Sequence, residues 1–238
     1  MTGIDGCPGG WVAVTLLFAS QRSSVQVTAD VAVAPTLAGL PLAGLPPAEA
    51  VGIDMPLGLL AEGWRVSDRL ARARLGRRGV TVFAIPPRPV WECATYAEAN
   101  AVCRALTGKG LAVQSWGLRR KIFEADEYRR RAVTTRTGAA AAAGIRLYEV
   151  HPELAFAALA GAPLPDSKHT KAGLAVRRDL LAQVGILLPP KAAGAAEDDL
   201  LDAAAVAWSA HRIAAGRAVV LTNPAQHADD GSEIAVRY

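Results

Sequence analysis

Met1-Thr2-Gly3-Ile4-Asp5-Gly6-Cys7-Pro8-Gly9-Gly10-Trp11 reads as a short strand with an aspartate in its middle, then a turn written in Gly6, Pro8, Gly9 and Gly10. A second strand follows from Trp11 to Phe18. A carboxylate in a buried strand is costly unless a metal ion, a basic partner or a hydrogen-bond network meets it. The rest of the chain is therefore read for what meets Asp5.

Working outward, Ser24–Val31 alternates polar and apolar residues and predicts a third strand. Short turns between these three strands predict an antiparallel meander. Pro35–Pro47 fits a short helix punctuated by prolines, and Ala50–Asp54 is an apolar fourth strand, again ending in aspartate. Ser67 is placed to cap a basic helix over Asp68–Leu75. Thr81–Arg88 is too proline-rich for a central strand. Helices are expected over Thr95–Leu106, where Thr95 and Glu98 have capping-box spacing, and over Ser115–Arg131. Ala139–Gly144 reads as a low-complexity hinge before a fifth strand, Arg146–Val150. Amphipathic helices then span Lys171–Val184 and Asp198–Ala215, separated by a Pro/Ala/Gly linker over Leu187–Ala196. The tail after Asn223 has no strong pattern.

The expectation is an α/β fold. A five-stranded mixed sheet, its first three strands antiparallel, is flanked by helices in one domain over 1–238. A basic, mostly helical insertion over 59–143 covers the site. Helical crossovers permit parallel pairing of the first, fourth and fifth strands.

At 238 residues and 51% apolar, the chain can bury a substantial core. No apolar run approaches the ~20 residues of a membrane span, so no membrane partner is expected. The N-terminus enters strand pattern without the basic region and cleavage site of a signal peptide. Cys7, Cys93 and Cys103 are odd in number and widely spaced, which argues against a disulfide scaffold and a zinc site and fits a reducing cytoplasm. The charge is uneven. Arg65–Arg131 holds 15 Lys/Arg against 6 Asp/Glu, a balance of +9, and the remainder holds 11 against 16, a balance of −5. Such a segment is either a solvated helical surface or a polyanion-binding flank. The glycine turn lacks the Lys-Ser/Thr of a phosphate loop and precedes a strand, which argues against dinucleotide binding.

The informative carboxylates sit at element ends: Asp5, Asp54, and the group Asp198, Asp199 and Asp202 at the start of the last helix. Asp199 and Asp202, three apart, share a helical face. Strand carboxylates meeting helix carboxylates would repel without cations, and hard divalent ions, Mg²⁺ or Mn²⁺, suit oxygen ligands. Two such ions about 3.5–4 Å apart clamp the attacking and leaving oxygens of a phosphodiester. Glu149 or Glu153 can add a ligand, and Lys168 or Lys171 can hold a phosphate. Each residue also has a plainer reading. Asp5 can cap the glycine turn, Asp54 can cap the turn before Pro56, and Asp199 and Asp202 can be first-turn acids favoured by the helix dipole. Glu149 can pair with a basic residue, His151 can be a satisfied turn histidine, and Glu153 can start a helix after Pro152. Arg69, Arg72 and Arg88 are either phosphate contacts or surface charge.

The pattern Gly3-Ile4-Asp5-Gly6-x-x-Gly9-Gly10-Trp11-Val12 resembles the opening hairpin of the ribonuclease H-like superfamily. Further stretches resemble one branch of it: Ile53-Asp54-Met55-Pro56-Leu57-Gly58, Arg65-x-x-Asp68-x-x-Ala71-Arg72, Val82-Phe83-Ala84-Ile85-Pro86-x-Arg88, Tyr148-Glu149-Val150-His151-Pro152-Glu153 and Asp198-Asp199-Leu200-Leu201-Asp202-Ala203. That branch is a domain-of-unknown-function family, number 429, of expected nucleases. More loosely, Asp5, Asp54, Asp199 and Asp202 fill positions similar to the acids of Holliday-junction resolvases, which more often carry glutamate where Asp54 stands. The resemblance implies a metal-dependent nuclease. Asp5, Asp54, Asp199 and Asp202 would be metal ligands, Glu149 a further catalytic acid, and Arg69, Arg72, Arg88, His151, Glu153, Lys168 and Lys171 substrate contacts. Nucleic acid, DNA or RNA, is the expected partner, and a homodimer is allowed. The competing expectation is a nucleic-acid or nucleotide-binding protein of the same fold without catalysis. A sugar-kinase-like reading would need a second acidic hairpin, which the sequence lacks.

Overall fold

A computed structural model describes residues 1–21, 24–42, 50–134 and 146–238. Within them lies a seven-stranded mixed sheet. Its strands are β1 (Thr2–Cys7), β2 (Gly10–Gln21), β3 (Ser24–Ala34), β4 (Ala50–Ile53), β5 (Arg146–Val150), β6 (Val220–His227) and β7 (Glu233–Arg237), in the order β3-β2-β1-β4-β5-β7-β6. The first three strands are antiparallel and β1, β4 and β5 are parallel, as expected. The expected count of five is corrected to seven, because the tail forms β6 and β7. β7 runs parallel to β5, and β6 folds back on it with a register shift between Leu221 and Gln226. That irregularity, with Pro224 inside the strand, removes the alternation by which a strand is read.

The helices are α1 (Val66–Leu75), α2 (Arg88–Glu92), α3 (Tyr96–Thr107), α4 (Val113–Gly117), α5 (Arg119–Thr134), α6 (Pro152–Ala160), α7 (Lys171–Gln183) and α8 (Glu197–Ala214). Thr95 and Glu98 cap α3 reciprocally, as the spacing predicts. Ser67 is not a cap. It lies inside α1, whose preceding residue Arg65 makes no side-chain cap, and its Oγ accepts from Arg65 Nη2. The single helix expected over Ser115–Arg131 is two, α4 and α5. The helix expected within Pro35–Pro47 is one 3₁₀ turn at Leu37–Gly39, and its later residues lie outside the described ones. The Ala139–Gly144 hinge also lies outside the described residues. Among the described residues no helix is long and apolar enough to cross a membrane, and the three cysteines are free.

Strand alternation sorts the core. Ile4, Trp11, Ala13, Val51 and Ile53 pack with Val90, Trp91, Cys103 and Ile122 from the segment between β4 and β5. Val12, Val14 and Leu16 face α6–α8, with Phe156, Leu181, Leu200 and the alanines of α8. The inserted helices thus pack mainly on the face opposite α8. Gly3 and Asp5, and Gly52 and Asp54, alternate with Ile4 and Ile53 and so point to the α8 face.

Candidate functional site

Asp5 and Asp54 stand side by side because β1 and β4 pair in register. Ile4 opposes Ile53, and the Asp54 amide donates to the Ile4 carbonyl at 2.8 Å. Two residues earlier on each strand sits a glycine. A Cβ at Gly3 would overlap the Ala203 carbonyl and the Ala207 amide, and one at Gly52 would crowd Val206. Both glycines let α8 lie directly on the strands. Two strand residues advance about 6.6 Å and four helix residues about 6 Å. Stepping from Gly3 to Asp5 therefore matches stepping from Ala203 to Asp199, and stepping from Gly52 to Asp54 matches stepping from Val206 to Asp202. The acids meet beyond the glycine contacts, at the start of α8.

These four aspartates line a cavity of about 440 Å³ together with Glu149, His151, Glu153 and Lys168. Burial, then Asp54 and Asp202, push the Asp5 carboxyl well above its ordinary range. Burial and Asp202 push Asp54 up to about 8. Burial pushes Asp202 up to about 6, although Lys168 Nζ lies 2.6 Å from its Oδ2. In return the carboxylates hold the Lys168 ammonium above the usual lysine range, against its burial. Asp199 is less enclosed. Burial raises it, and it accepts from the Ala196 amide at 3.2 Å, so it also caps α8. Asp198 lies 3.8 Å from Lys168 Nζ and 3.5 Å from His169 Nδ1. Asp5 Oδ1 accepts from the Gly6 amide at 2.7 Å, the turn-capping bond its position allows.

Other predicted residues have structural partners. Glu149 accepts from Arg65 Nη2 at 2.5 Å and from the Leu57 amide at 2.7 Å, so it joins β5 to α1 and to the loop after β4. Glu153, in the first turn of α6, accepts from Arg78 at 2.9 Å and from fully buried Arg177 at 2.6 Å. Burial opposes its ionisation, but these two guanidinium groups keep its carboxyl below the usual range. Burial lowers His151 to about 4, which keeps it neutral. Its ring hydrogen-bonds to the Thr81 backbone, and its Nδ1 is buried without a partner.

Arg88 lies outside the cavity, bonded to Asp126 at 2.5 Å and to Asp229 at 2.8 Å. Lys171 is exposed at the start of α7 and lines no described cavity. Arg69 and Arg72 line a second cavity, and the Arg72 Nε donates to the Val82 carbonyl at 2.8 Å. Sequence reasoning missed Arg65, Arg78 and Arg177 as the groups that fix Glu149 and Glu153. It also missed Lys121, whose ammonium lies 4.6 Å from the centre of the Trp11 ring and donates to the Cys7 and Gly10 carbonyls, clamping the glycine turn. One readable signal went unused: Gly-Ile-Asp occurs twice, at 3–5 and 52–54, and the two copies lie side by side on the paired strands.

Among the described residues, no three His, Cys, Asp or Glu side chains converge closely enough as they stand to hold one ion. The donor set nonetheless fits a hard divalent cation. Four carboxylates share one cavity, two of them, Asp5 and Asp202, buried, and burial first and their mutual repulsion second raise their proton affinities.

A family model described as "Protein of unknown function (DUF429)" matches residues 3–227. No curated protein and no solved structure matches the chain.

Proposed function

The chain belongs to the DUF429 family, and we propose that it is a metal-dependent phosphodiesterase acting on nucleic acid. The strand order β3-β2-β1-β4-β5, antiparallel then parallel, supports a ribonuclease H-like arrangement with β7 and β6 added at one edge. One observation carries the functional reading. Asp5 and Asp54 on neighbouring strands meet Asp202 of α8 in a cavity, and when ionised they carry more negative charge than Lys168 offsets.

Asp5, Asp54 and Asp202, with Asp199 at the rim, would hold Mg²⁺ or Mn²⁺. When bound, such an ion supplies Lewis-acid stabilisation of charge on a phosphoryl oxygen. Lys168 adds a fixed positive charge on the same side of the cavity, aimed at a non-bridging oxygen. Neutral His151 offers the unpartnered Nδ1 as an acceptor that orients a water. Arg78 and Arg177 satisfy Glu153, so its role is to fix the cavity wall rather than to bind the ion. Glu149 does the same through Arg65.

The test is cleavage of labelled single-stranded, duplex and branched DNA and RNA with Mg²⁺ or Mn²⁺, alongside calorimetric Mn²⁺ binding. Asp5→Asn should keep the fold and lose both metal affinity and cleavage. Wild-type cleavage by that variant would refute the site. A second reading, a nucleic-acid-binding protein without turnover, is favoured by the Lys168–Asp202 pair, because the ammonium already stands where a cation is needed. Salt-sensitive binding with no cleavage under any metal would support it.

A further inference from the structure

A second cavity, of about 380 Å³, lies in the segment between β4 and β5. Its walls combine two aromatic side chains, Trp64 and Phe83, with three exposed cations, Arg69, Arg72 and Lys109. Many cations of this basic segment are spent on acids: Arg65 on Glu149, Arg78 on Glu153, and Arg88 and Arg129 on Asp126. Arg69, Arg72 and Lys109 form no ion pair among the described residues, yet they gather on one hollow. Arg65 belongs to the same wall. It is 1% exposed, and its Nη1 is a buried donor without a partner.

The walls are held by the fold. Gln226 of β6 donates from Nε2 to the Trp64 carbonyl at 3.1 Å and accepts from the Val66 amide at 2.5 Å, fixing the entry to α1. On the other side, Asn100 Oδ1 accepts from the Leu111 amide at 2.9 Å, and Tyr96 donates to the Leu111 carbonyl at 2.9 Å, fixing the loop that carries Lys109. Asp68 and Phe83 line both this cavity and the carboxylate cavity, so the two hollows share a wall.

We infer that the second cavity is a nucleotide subsite, which takes one unstacked base against Trp64 and Phe83 and the adjoining phosphates on Arg69, Arg72 and Lys109. The inference rests on the phosphodiesterase reading for the identity of its ligand, a single-stranded segment running from one hollow to the other. Aromatic faces hold any base, and cations beside them hold the backbone, which is how single strands are gripped without sequence preference. Duplex nucleic acid does not fit a hollow that takes a base out of its stack.

The probe is a short fluorescein-labelled oligothymidylate, with its ribose counterpart as a second arm, followed by fluorescence anisotropy in EDTA so that no turnover occurs. Wild-type chain binds with a salt-dependent affinity. The double variant Arg69→Ala/Lys109→Ala, both positions exposed, binds roughly tenfold more weakly and lowers the slope of log affinity on log salt by about 1.4, the loss of two single-strand phosphate contacts. Phe83→Ala weakens binding roughly tenfold and leaves the salt slope unchanged. Leu17→Ala, an exposed β2 position that lines neither cavity, binds as wild type does. Wild-type affinity and slope in the double variant, or no binding by the wild type, overturns the subsite. The phosphodiesterase reading fails separately: if binding follows the variants as stated but no metal supports cleavage, the subsite stands and the catalysis does not.

Discussion

The Lys168 ammonium lies 2.6 Å from the Asp202 carboxylate, inside a cavity that Asp5, Asp54 and Asp199 also line. The lysine is the resident counter-charge of the site. Lys168→Met leaves Asp202 buried beside Asp5 and Asp54 without the cation it is paired with. Breaking a buried pair costs roughly 3–5 kcal/mol, and the partial exposure of Lys168 brings the expected loss to about 1–3 kcal/mol. Urea unfolding of the metal-free variant checks this, and Mn²⁺ should restore more stability to it than to the wild type.

Stability of the metal-free chain should fall as pH rises. Asp54 and Asp202 are pushed from an ordinary 3.8 up to about 8 and about 6. Above the unfolded-state value the native chain holds protons that the unfolded chain has released, so unfolding free energy decreases with pH. The contribution is whole below about pH 4 and is lost progressively until about pH 8. Melting temperatures across that window check the sign. Asp54→Asn should flatten the upper half of the slope, and saturating Mg²⁺ should reduce it.

Gly3→Ala tests the close seat of α8. The added Cβ meets helix backbone rather than a movable side chain, so the helix must shift. Overpacking of this kind costs typically 1–3 kcal/mol. Because that row of α8 carries Asp199 and the next one Asp202, Mn²⁺ affinity should drop with stability. Leu17→Ala, on the same sheet but 55% exposed, should change neither.

Glu153→Gln should separate wall from ligand. With Arg177 fully buried, loss of the carboxylate strands a guanidinium and lowers stability by roughly 3 kcal/mol or more. Mn²⁺ affinity of the folded variant should stay within a few-fold of wild type. Affinity lost in proportion to that of Asp5→Asn would make Glu153 a ligand.

The parts of the chain that follow local rules were legible. Asp5 sat inside a short first strand, Asp54 closed an apolar fourth strand, and Thr95 and Glu98 had capping spacing; the structure has all of these. What stayed hidden was set by distant partners. Glu149 was read either as a catalytic acid or as the partner of a basic residue, and nothing nearby in sequence announces that partner, Arg65, 84 residues away. Arg88 looked like a phosphate contact because its partners, Asp126 and Asp229, stand on α5 and in the turn between β6 and β7. The tail gave no strand signal because its pairing is irregular and its partner strand is β5, 87 residues earlier at the Glu149–Val236 pair.

Gln226 gives the last two strands a role beyond extending the sheet. It reaches from β6 to grip the backbone on both sides of Arg65, while the aspartates depend on β1, β4 and α8 alone. A change in the terminal strand pair therefore reaches the second cavity through Trp64 and Val66, while the backbone pairing that sets Asp5 beside Asp54 lies elsewhere in the sheet.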